Sequence, residues 1–297
     1  MTESLQRPIG ELLWQPDEKA IENCNISLFF NRIDSYSKVN SDYSSFHQWS
    51  VENAPDFWAE VWQQFGVIGT RPDGPVLENP DAMPGARWFP GSTLNFAENL
   101  LRYRDDHTAI IFRTESGSER RYSYLEVYRQ VAKHAAMLKG HGVSSGDRVA
   151  GYMANLPETV FAMLATASLG ATWSSCSPDF GTRGVLERFA QIEPVVLYCV
   201  DGYRYNGKSF GILDSARDVA AQLPSLKQVV VVPFLGIDVQ LDSGNRFVLL
   251  EDALAPYTAV EEVDFVATPF DHPLYILYSS GTTGAPKCIV HGVGGTL

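Results

Sequence analysis

From about residue 148 onward the chain alternates between two apolar patterns. Short runs at 148–153, 171–176, 195–200 and 229–232 carry almost no polar alternation. Between them, at 155–169, 183–192 and 212–223, apolar residues recur every third or fourth position, the period of a helix with one buried face. Strands apolar on both faces and separated by amphipathic helices predict a parallel sheet covered on both sides. Pro157 near the first turn of one helix and Pro194 after the next are the punctuation such helices favour. The expected fold class is α/β, a doubly wound and largely parallel sheet with helices on both faces. Strand order is not legible.

Upstream the pattern is helical. Residues 1–22 read as a loosely ordered lead anchored by Leu12, Leu13 and Trp14, and Ile26, Phe29, Phe30 and Ile33 recur at helical spacing. A helix over 56–65 presents Phe57, Trp58, Val61, Trp62 and Phe65 as an aromatic stripe assigned to core, and Gly66 closes it. Residues 71–84, rich in Pro, Gly and acid, read as a surface linker. A short helix is expected over 95–102, then strands over 108–113 and 120–122 about a turn at 115–118. Ser123 and Glu126 fit a capping box that opens a helix with Leu125, Tyr128, Val131, Ala132, Ala135 and Leu138 on its apolar face; Gly140 and Gly142 end it. Residues 234–268 form a less regular connection with a short strand near 247–250. Their acids (Asp238, Asp242, Glu251, Glu261, Glu262 and Asp264) read as a solvated face. The expected organisation is a helical segment over 1–105 and an α/β domain over 106–297.

Composition is that of an ordinary globular protein, 45% hydrophobic and 20% charged over 297 residues. A net charge of −12, from 23 basic and 35 acidic residues, argues against general nucleic-acid or membrane-surface binding but not against a local anion site. Cys24, Cys176, Cys199 and Cys288 form no Cys-x-x-Cys and read as free thiols of a reducing compartment. The six histidines show no ligand spacing, so no metal-ligating residue is expected. No charged-then-apolar leader opens the chain, and the longest apolar run, 229–237, is too short to span a bilayer and contains Pro233. A cytosolic protein without membrane insertion is expected.

The chemistry concentrates in residues 274–291. An apolar run enters and another leaves, so the segment reads as strand, loop, strand. Between them Ser279, Ser280, Gly281, Thr282, Thr283 and Gly284 supply two glycines and four hydroxyls, and Lys287 adds a positive charge. Glycines let backbone N–H groups converge and hydroxyls donate further bonds, which is what a polyphosphate requires. A Walker A loop starting at Gly281 would need Gly at 286 and Ser or Thr at 288, where this chain has Pro286 and Cys288. Pro286 also makes a helix springing from Lys287 improbable. The alternative is a Ser/Thr/Gly-rich surface turn, which leaves the lysine between two strands unexplained.

Residues 279–287 resemble the phosphate-loop signature of the acyl-adenylate-forming enzymes, the superfamily of AMP-dependent synthetases and ligases. The flanks at 270–274 and 287–292, with segments 175–181, 88–91 and 94–101, resemble the acetoacetyl-CoA synthetases within it, in register from about residue 13 to 297. The resemblance implies the incomplete large N-terminal domain of an adenylate-forming enzyme. It implies ATP with Mg²⁺, attack of the acetoacetate carboxylate on the α-phosphate, and transfer of the acyl group to coenzyme A. Ser279 to Gly284 would hold the β- and γ-phosphates, and Lys287 would offset charge as pyrophosphate leaves. Related acetyl-CoA synthetases carry arginines that reach a CoA phosphate in the loop corresponding to 203–208. Here Lys208 aligns with such a position, Tyr205 replaces a second basic residue and Arg204 stands one place earlier, so Arg204 and Lys208 are candidate CoA contacts or an ordinary exposed turn. Asp179 with Ser177 has no nearby histidine and reads as a structural loop, while the glycines of 292–295 fit no dinucleotide fingerprint and precede no readable helix.

The family's adenine- and Mg²⁺-binding segment, ribose aspartate, hinge and lysine-bearing C-terminal domain have no counterpart before Leu297. Inactivity of the chain alone is therefore expected, with exposed strand edges. Three readings stay open: a portion of an acetoacetate-activating ligase, a non-catalytic product that binds nucleotide weakly or interferes with a full-length partner, and a synthetase acting on acetate or propionate.

Overall fold

A computed structural model describes residues 10, 12–33, 42–237, 246–279 and 284–297. The chain divides into two compact units, residues 1–67 with 75–86, and residues 68–74 with 87–297.

The smaller unit is helical, with Glu18–Glu22, Asn25–Phe30, Tyr43–Glu52 and Ala54–Gln64. Phe29, Ile33 and Phe46 form its core, with Trp49, Phe57 and Val61 packed against it. Phe29 meets Phe46 and Phe57 edge-on at 6.1 and 5.9 Å, the arrangement ring quadrupoles favour. The aromatic stripe is only partly core: Phe57 and Val61 face the cluster, but Trp58 is 44% and Phe65 56% exposed. Leu12, Leu13 and Trp14 are also exposed, so they anchor nothing among the described residues. The helix Tyr43–Glu52 escaped the sequence pattern because serines, His47 and Gln48 separate its few apolar positions. Its N-cap marks it: Asp42 accepts from Ser45 N at 2.9 Å.

The larger unit is built on seven strands: β1 Arg148–Tyr152, β2 Thr172–Cys176, β3 Val196–Val200, β4 Gln228–Val232, β5 Phe247–Leu249, β6 Pro273–Tyr278 and β7 Cys288–Gly292. Their order is β5-β4-β3-β1-β2-β6-β7, and every neighbouring pair is parallel except the hairpin β6–β7. The crossover from β1 runs one way to β2, while those from β2 and β3 run the other way. Right-handed crossovers then place α2 (Pro157–Ser168) on one face and α3 (Thr182–Ile192) with α4 (Leu213–Gln222) on the opposite face. The helix Tyr124–Gly140 (α1) packs on α2, and α3 packs on α4. Burial explains the apolar runs: all five residues of β3 are buried. Gly151 in β1 lies so close to Trp173 of β2 that a Cβ would meet the indole at 2.7 Å.

Local chemistry fixes the surrounding loops. Ser123 Oγ accepts from Glu126 N at 3.2 Å and Glu126 accepts from Ser123 N at 2.7 Å, the reciprocal capping box. Buried Asn95 donates to the carbonyls of Ala167, Ser168 and Val266, and Asn99 exchanges hydrogen bonds with both backbone groups of Ile68. Segment 94–101 is thus a clamp on the end of α2. Glu261, Glu262 and Asp264 make exposed pairs with Arg129, Arg104 and Lys139, pairs of small energetic weight.

Two expectations are corrected. Residues 203–208, read as a loop, belong to a hairpin, Gly202–Tyr205 with Lys208–Gly211, turned by Asn206 (φ 50°) and Gly207 (φ 74°). Asn-Gly is a strong two-residue hairpin signal because both positions need positive φ. A four-residue helix, Val293–Thr296, also follows β7 where none was readable.

Behind β3, Asp201 is fully buried and its carboxylate accepts from the N–H groups of Phe234 (2.8 Å), Leu235 (2.9 Å) and Ile237 (3.0 Å). Asp201→Ala strands those donors, and chemical denaturation should show a loss of about 3 kcal/mol. A loss below about 1 kcal/mol would mean that water replaces the carboxylate there.

His134 is buried, stacked on Tyr198 with Nδ1 3.2 Å from its hydroxyl, and burial pulls its pKa down to about 3. Between that value and the ordinary 6.5, the unfolded chain binds a proton that the folded chain does not, so stability falls as pH falls. His134→Gln should remove up to about 1.4 kcal/mol per pH unit of that slope between pH 6.5 and 5. Parallel stability curves for the two proteins would disprove the assignment.

Candidate functional site

The β6–β7 hairpin ends its ladder at the pair Tyr278 and Cys288, and Ser279 N then donates to Lys287 O at 3.1 Å. That bond closes the neck of the predicted phosphate loop. Ser280, Gly281, Thr282 and Thr283 lie outside the described residues. Of the remaining predicted phosphate contacts, Ser279 and Lys287 stand at the neck and Gly284 on the returning arm with φ 128°, a value L side chains rarely adopt. Lys287 is exposed and Pro286 beside it is buried, so the lysine stands in solvent while its backbone is anchored. Below the neck Ser174 Oγ lies 2.9 Å from Ile276 O and 3.0 Å from Tyr278 Oη. Burial pushes the Tyr278 phenol up, so it remains protonated.

The second candidate region lies at the carboxyl ends of β1 to β4. β1 and β3 are neighbours whose connections leave in opposite directions, and such a switch point opens a crevice. A cavity of about 250 Å³ there is lined by Phe112, Asn155, Ser177, Pro178, Tyr203 and Arg204. Beside it a space of about 370 Å³ is lined by Thr114, Ser116, Ser118, Arg120, Arg204 and Phe234. Two guanidiniums, three hydroxyls and aromatic walls suit an anionic ligand with a flat ring. The charge of Arg120 is partly answered, since it makes hydrogen bonds of 2.8 and 3.3 Å to Glu158.

Arg204 and Lys208 are not brought together. Arg204 pairs across the hairpin with Ser209, and Tyr205 pairs with Lys208. Cross-strand partners share a face and successive residues alternate, so the two basic residues stand on opposite faces. Arg204 lines both cavities; Lys208 lines neither. Glu115 accepts from Asn206 N at 3.1 Å and Gly207 N at 3.2 Å, fixing the hairpin tip to the 108–123 hairpin. The contribution of that first hairpin, Phe112 to Arg120, escaped the sequence reading, because nothing local announces which loop its far end will face.

Ser177 and Asp179 belong to a turn in which Phe180 N donates to Ser177 O at 3.2 Å, and Tyr152 donates its hydroxyl to Phe180 O. Burial raises Tyr152 to about 12 and the Cys176 and Cys199 thiols to about 12, so none is a base or nucleophile near neutrality. Among the described residues no three His, Cys, Asp or Glu side chains converge on a metal-sized site, and no helix is long and apolar enough to cross a membrane.

Residues 96–297 match the family model described as AMP-binding enzyme, and residues 43–100 match acetyl-coenzyme A synthetase N-terminus. The chain is 40% identical to an acetoacetyl-CoA synthetase of Macaca fascicularis over 97% of its own length and 44% of that protein's. It is 44% identical to the acetoacetyl-coenzyme A synthetase of Rhizobium meliloti (strain 1021), over 96% of this chain and 44% of the relative. The solved structure of acetoacetyl-CoA synthetase from Streptomyces lividans superposes with a TM-score of 0.88 at 42% identity, covering 96% of this chain and 44% of that one. The chain thus spans less than half the length of these relatives. With more than half of its residues matched by one family model, the chain belongs to the AMP-binding enzymes.

Proposed function

We propose that this chain supplies the phosphate-holding part of a cytosolic ligase that joins acetoacetate to coenzyme A through an acyl-AMP intermediate. One observation carries the reading: the neck closed by Ser279 and Lys287, with an exposed lysine, in a chain 40–44% identical to acetoacetyl-CoA synthetases. A carboxylate oxygen of acetoacetate bonds to the α-phosphorus of ATP. The bond to the bridging oxygen breaks, and its electron pair leaves with pyrophosphate. The thiol sulfur of coenzyme A then attacks the acyl carbon, losing its proton as AMP departs.

In this scheme the chain's part is positioning and electrostatics rather than covalent chemistry. Lys287 meets charge that builds on the leaving pyrophosphate, and loop N–H and hydroxyl groups hold the phosphates. Mg²⁺ bound with ATP would add its charge to that of Lys287 at the phosphates. Arg204 is proposed as the contact for a CoA phosphate, facing the cavities at the switch point. Lys208, on the other face of the hairpin, is at most a distant charge.

The test is acetoacetate-dependent exchange of pyrophosphate into ATP by the complete polypeptide that carries this chain. Exchange with acetoacetate but not acetate supports the proposal; ATP binding without exchange favours a non-catalytic product. Lys287→Ala should lower the exchange rate at least ~10-fold, the scale of one lost charge-assisted contact. An unchanged rate would remove Lys287 from the mechanism.

The opposed faces of the second hairpin give a sharper expectation. Arg204→Ala should raise the apparent Michaelis constant for CoA ~10-fold with that for ATP unchanged, whereas Lys208→Ala should move it less than ~2-fold. Equal effects from the two substitutions would show that both side chains reach one phosphate.

A further inference from the structure

The phosphate loop is joined to the sheet by a single hairpin, and its ladder stops at Tyr278 and Cys288. Beyond the ladder the neck bond from Ser279 N holds the Lys287 carbonyl. Two side chains of α3 touch the loop's two arms. On the returning arm Gln191 Nε2 donates to Pro286 O at 2.9 Å, and Cys288 Sγ donates to Gln191 Oε1 at 3.7 Å. These partners are the residues immediately before and after Lys287. Gln191 Nε2 also lies 2.6 Å from Glu187 O of its own helix, which holds the amide in place. On the entering arm the Arg188 guanidinium sits 4.6 Å from the Phe180 ring centroid and 5.6 Å from that of Tyr278, and donates to Gly184 O at 2.7 Å. Residues three apart share one face of a helix, so one face of α3 grips both arms.

We infer that α3 sets the phosphate loop through Arg188 and Gln191, which act as positioning residues for the nucleotide step. The inference rests on the adenylation proposed above for its functional consequence, though the grip itself does not. Gln191 holds the Pro286 carbonyl on one side of Lys287 and meets the Cys288 thiol on the other, and neither contact uses the Lys287 side chain. Arg188, planar and stacked, ties Tyr278 to the turn that follows β2, so both arms are referred to the same helix. A displacement of about 1 Å at a charge-bearing residue costs up to ~100-fold in rate, which makes the mouth's position a rate-determining property.

Gln191→Met keeps the side chain's length and removes both amide contacts. In the complete polypeptide it should lower kcat and kcat/KM for ATP in pyrophosphate exchange by the same factor, ~10-fold, the pattern of an interaction expressed only in the transition state. Arg188→Met should do likewise, and Arg188→Lys, which restores charge but not the planar stack, should recover less than half of the loss. Gln191→Glu keeps the acceptor for Cys288 and loses the donor to Pro286; it should fall between wild type and Gln191→Met, and it serves if the methionine variant does not fold.

Amide hydrogen exchange across residues 279–287, followed on this chain, reads the grip without any turnover. Exchange at Ser279, whose N–H closes the neck, should quicken ~10-fold in Gln191→Met. Arg183→Gln is the control, since Arg183 pairs only with Glu187 on the exposed side of the same helix and should alter neither readout. Wild-type exchange and wild-type kcat in Gln191→Met would overturn the inference, as would an equal loss in Arg183→Gln. Absence of pyrophosphate exchange in the wild type would sink the adenylation proposal, while the amide readout would still decide whether α3 holds the loop.

Discussion

Everything in the larger unit follows from β1 and β3 lying side by side with connections that leave in opposite directions. That adjacency forces α2 and α3 onto different faces, because parallel crossovers are right-handed. Both faces of β3 are then covered, so it must be apolar at every position, and it is. The same reversal leaves the carboxyl ends of β1 and β3 without a crossing loop. Asp201 stands there as a buried carboxylate satisfied by three backbone N–H groups, turning the segment after β4 across the opening. The crevice is thereby kept open by topology and given a fixed wall by one side chain.

The phosphate loop obeys a different constraint. It does not enter a helix as a Walker loop does, because Pro286 withholds a donor and breaks the helical path. The chain instead turns back as β7, antiparallel to β6, and the neck is closed by one backbone bond. Because β7 rather than a helix follows Lys287, the phosphate contact proposed above would draw its positive charge from a side chain, and Lys287 stands at the base of the returning arm. Through Gln191 and Arg188, α3 also touches both arms of the hairpin beside the neck. Its own position beside the loop follows from the jump from β2 back across β1 to β3.

How much of this was legible depends on the range over which each signal acts. β1 to β4 were readable to within a residue or two because two-sided burial imposes an apolar run that no other element mimics. The strand–loop–strand frame of 274–291 was readable because its apolar runs are contiguous, and the structure pairs them as β6 and β7. The Gly202–Gly211 hairpin was not legible although Asn206-Gly207 marks its turn, since the arms on either side carry no apolar alternation long enough to read as strands. That error had a functional cost: a loop would have let Arg204 and Lys208 converge, and a strand pair forbids it. Trp58 and Phe65 sit in a helical stripe that local periodicity cannot divide into inner and outer halves. Arg188 and Gln191 were invisible for a deeper reason. Their partners on the β6–β7 hairpin are 90 to 97 residues away in the chain, and only strand order brings them close.

An acidic chain can still gather anions at these two places. The net charge of −12 is a sum over the whole molecule, whereas a bound phosphate responds to charges within about 8 Å at physiological ionic strength. Several carboxylates are committed to other contacts: Glu158 to Arg120, Glu115 to the hairpin tip, and Asp201 to backbone N–H groups. Exposed acids such as Glu261 and Asp264 pair with Arg129 and Lys139 of the helix Tyr124–Gly140. Among these contacts Lys287 has no part, and Arg204 projects into the cavities at the switch point. An acidic surface works against promiscuous binding of large polyanions, while Lys287 and Arg204, in the roles proposed above, would offer local positive charge to small ones.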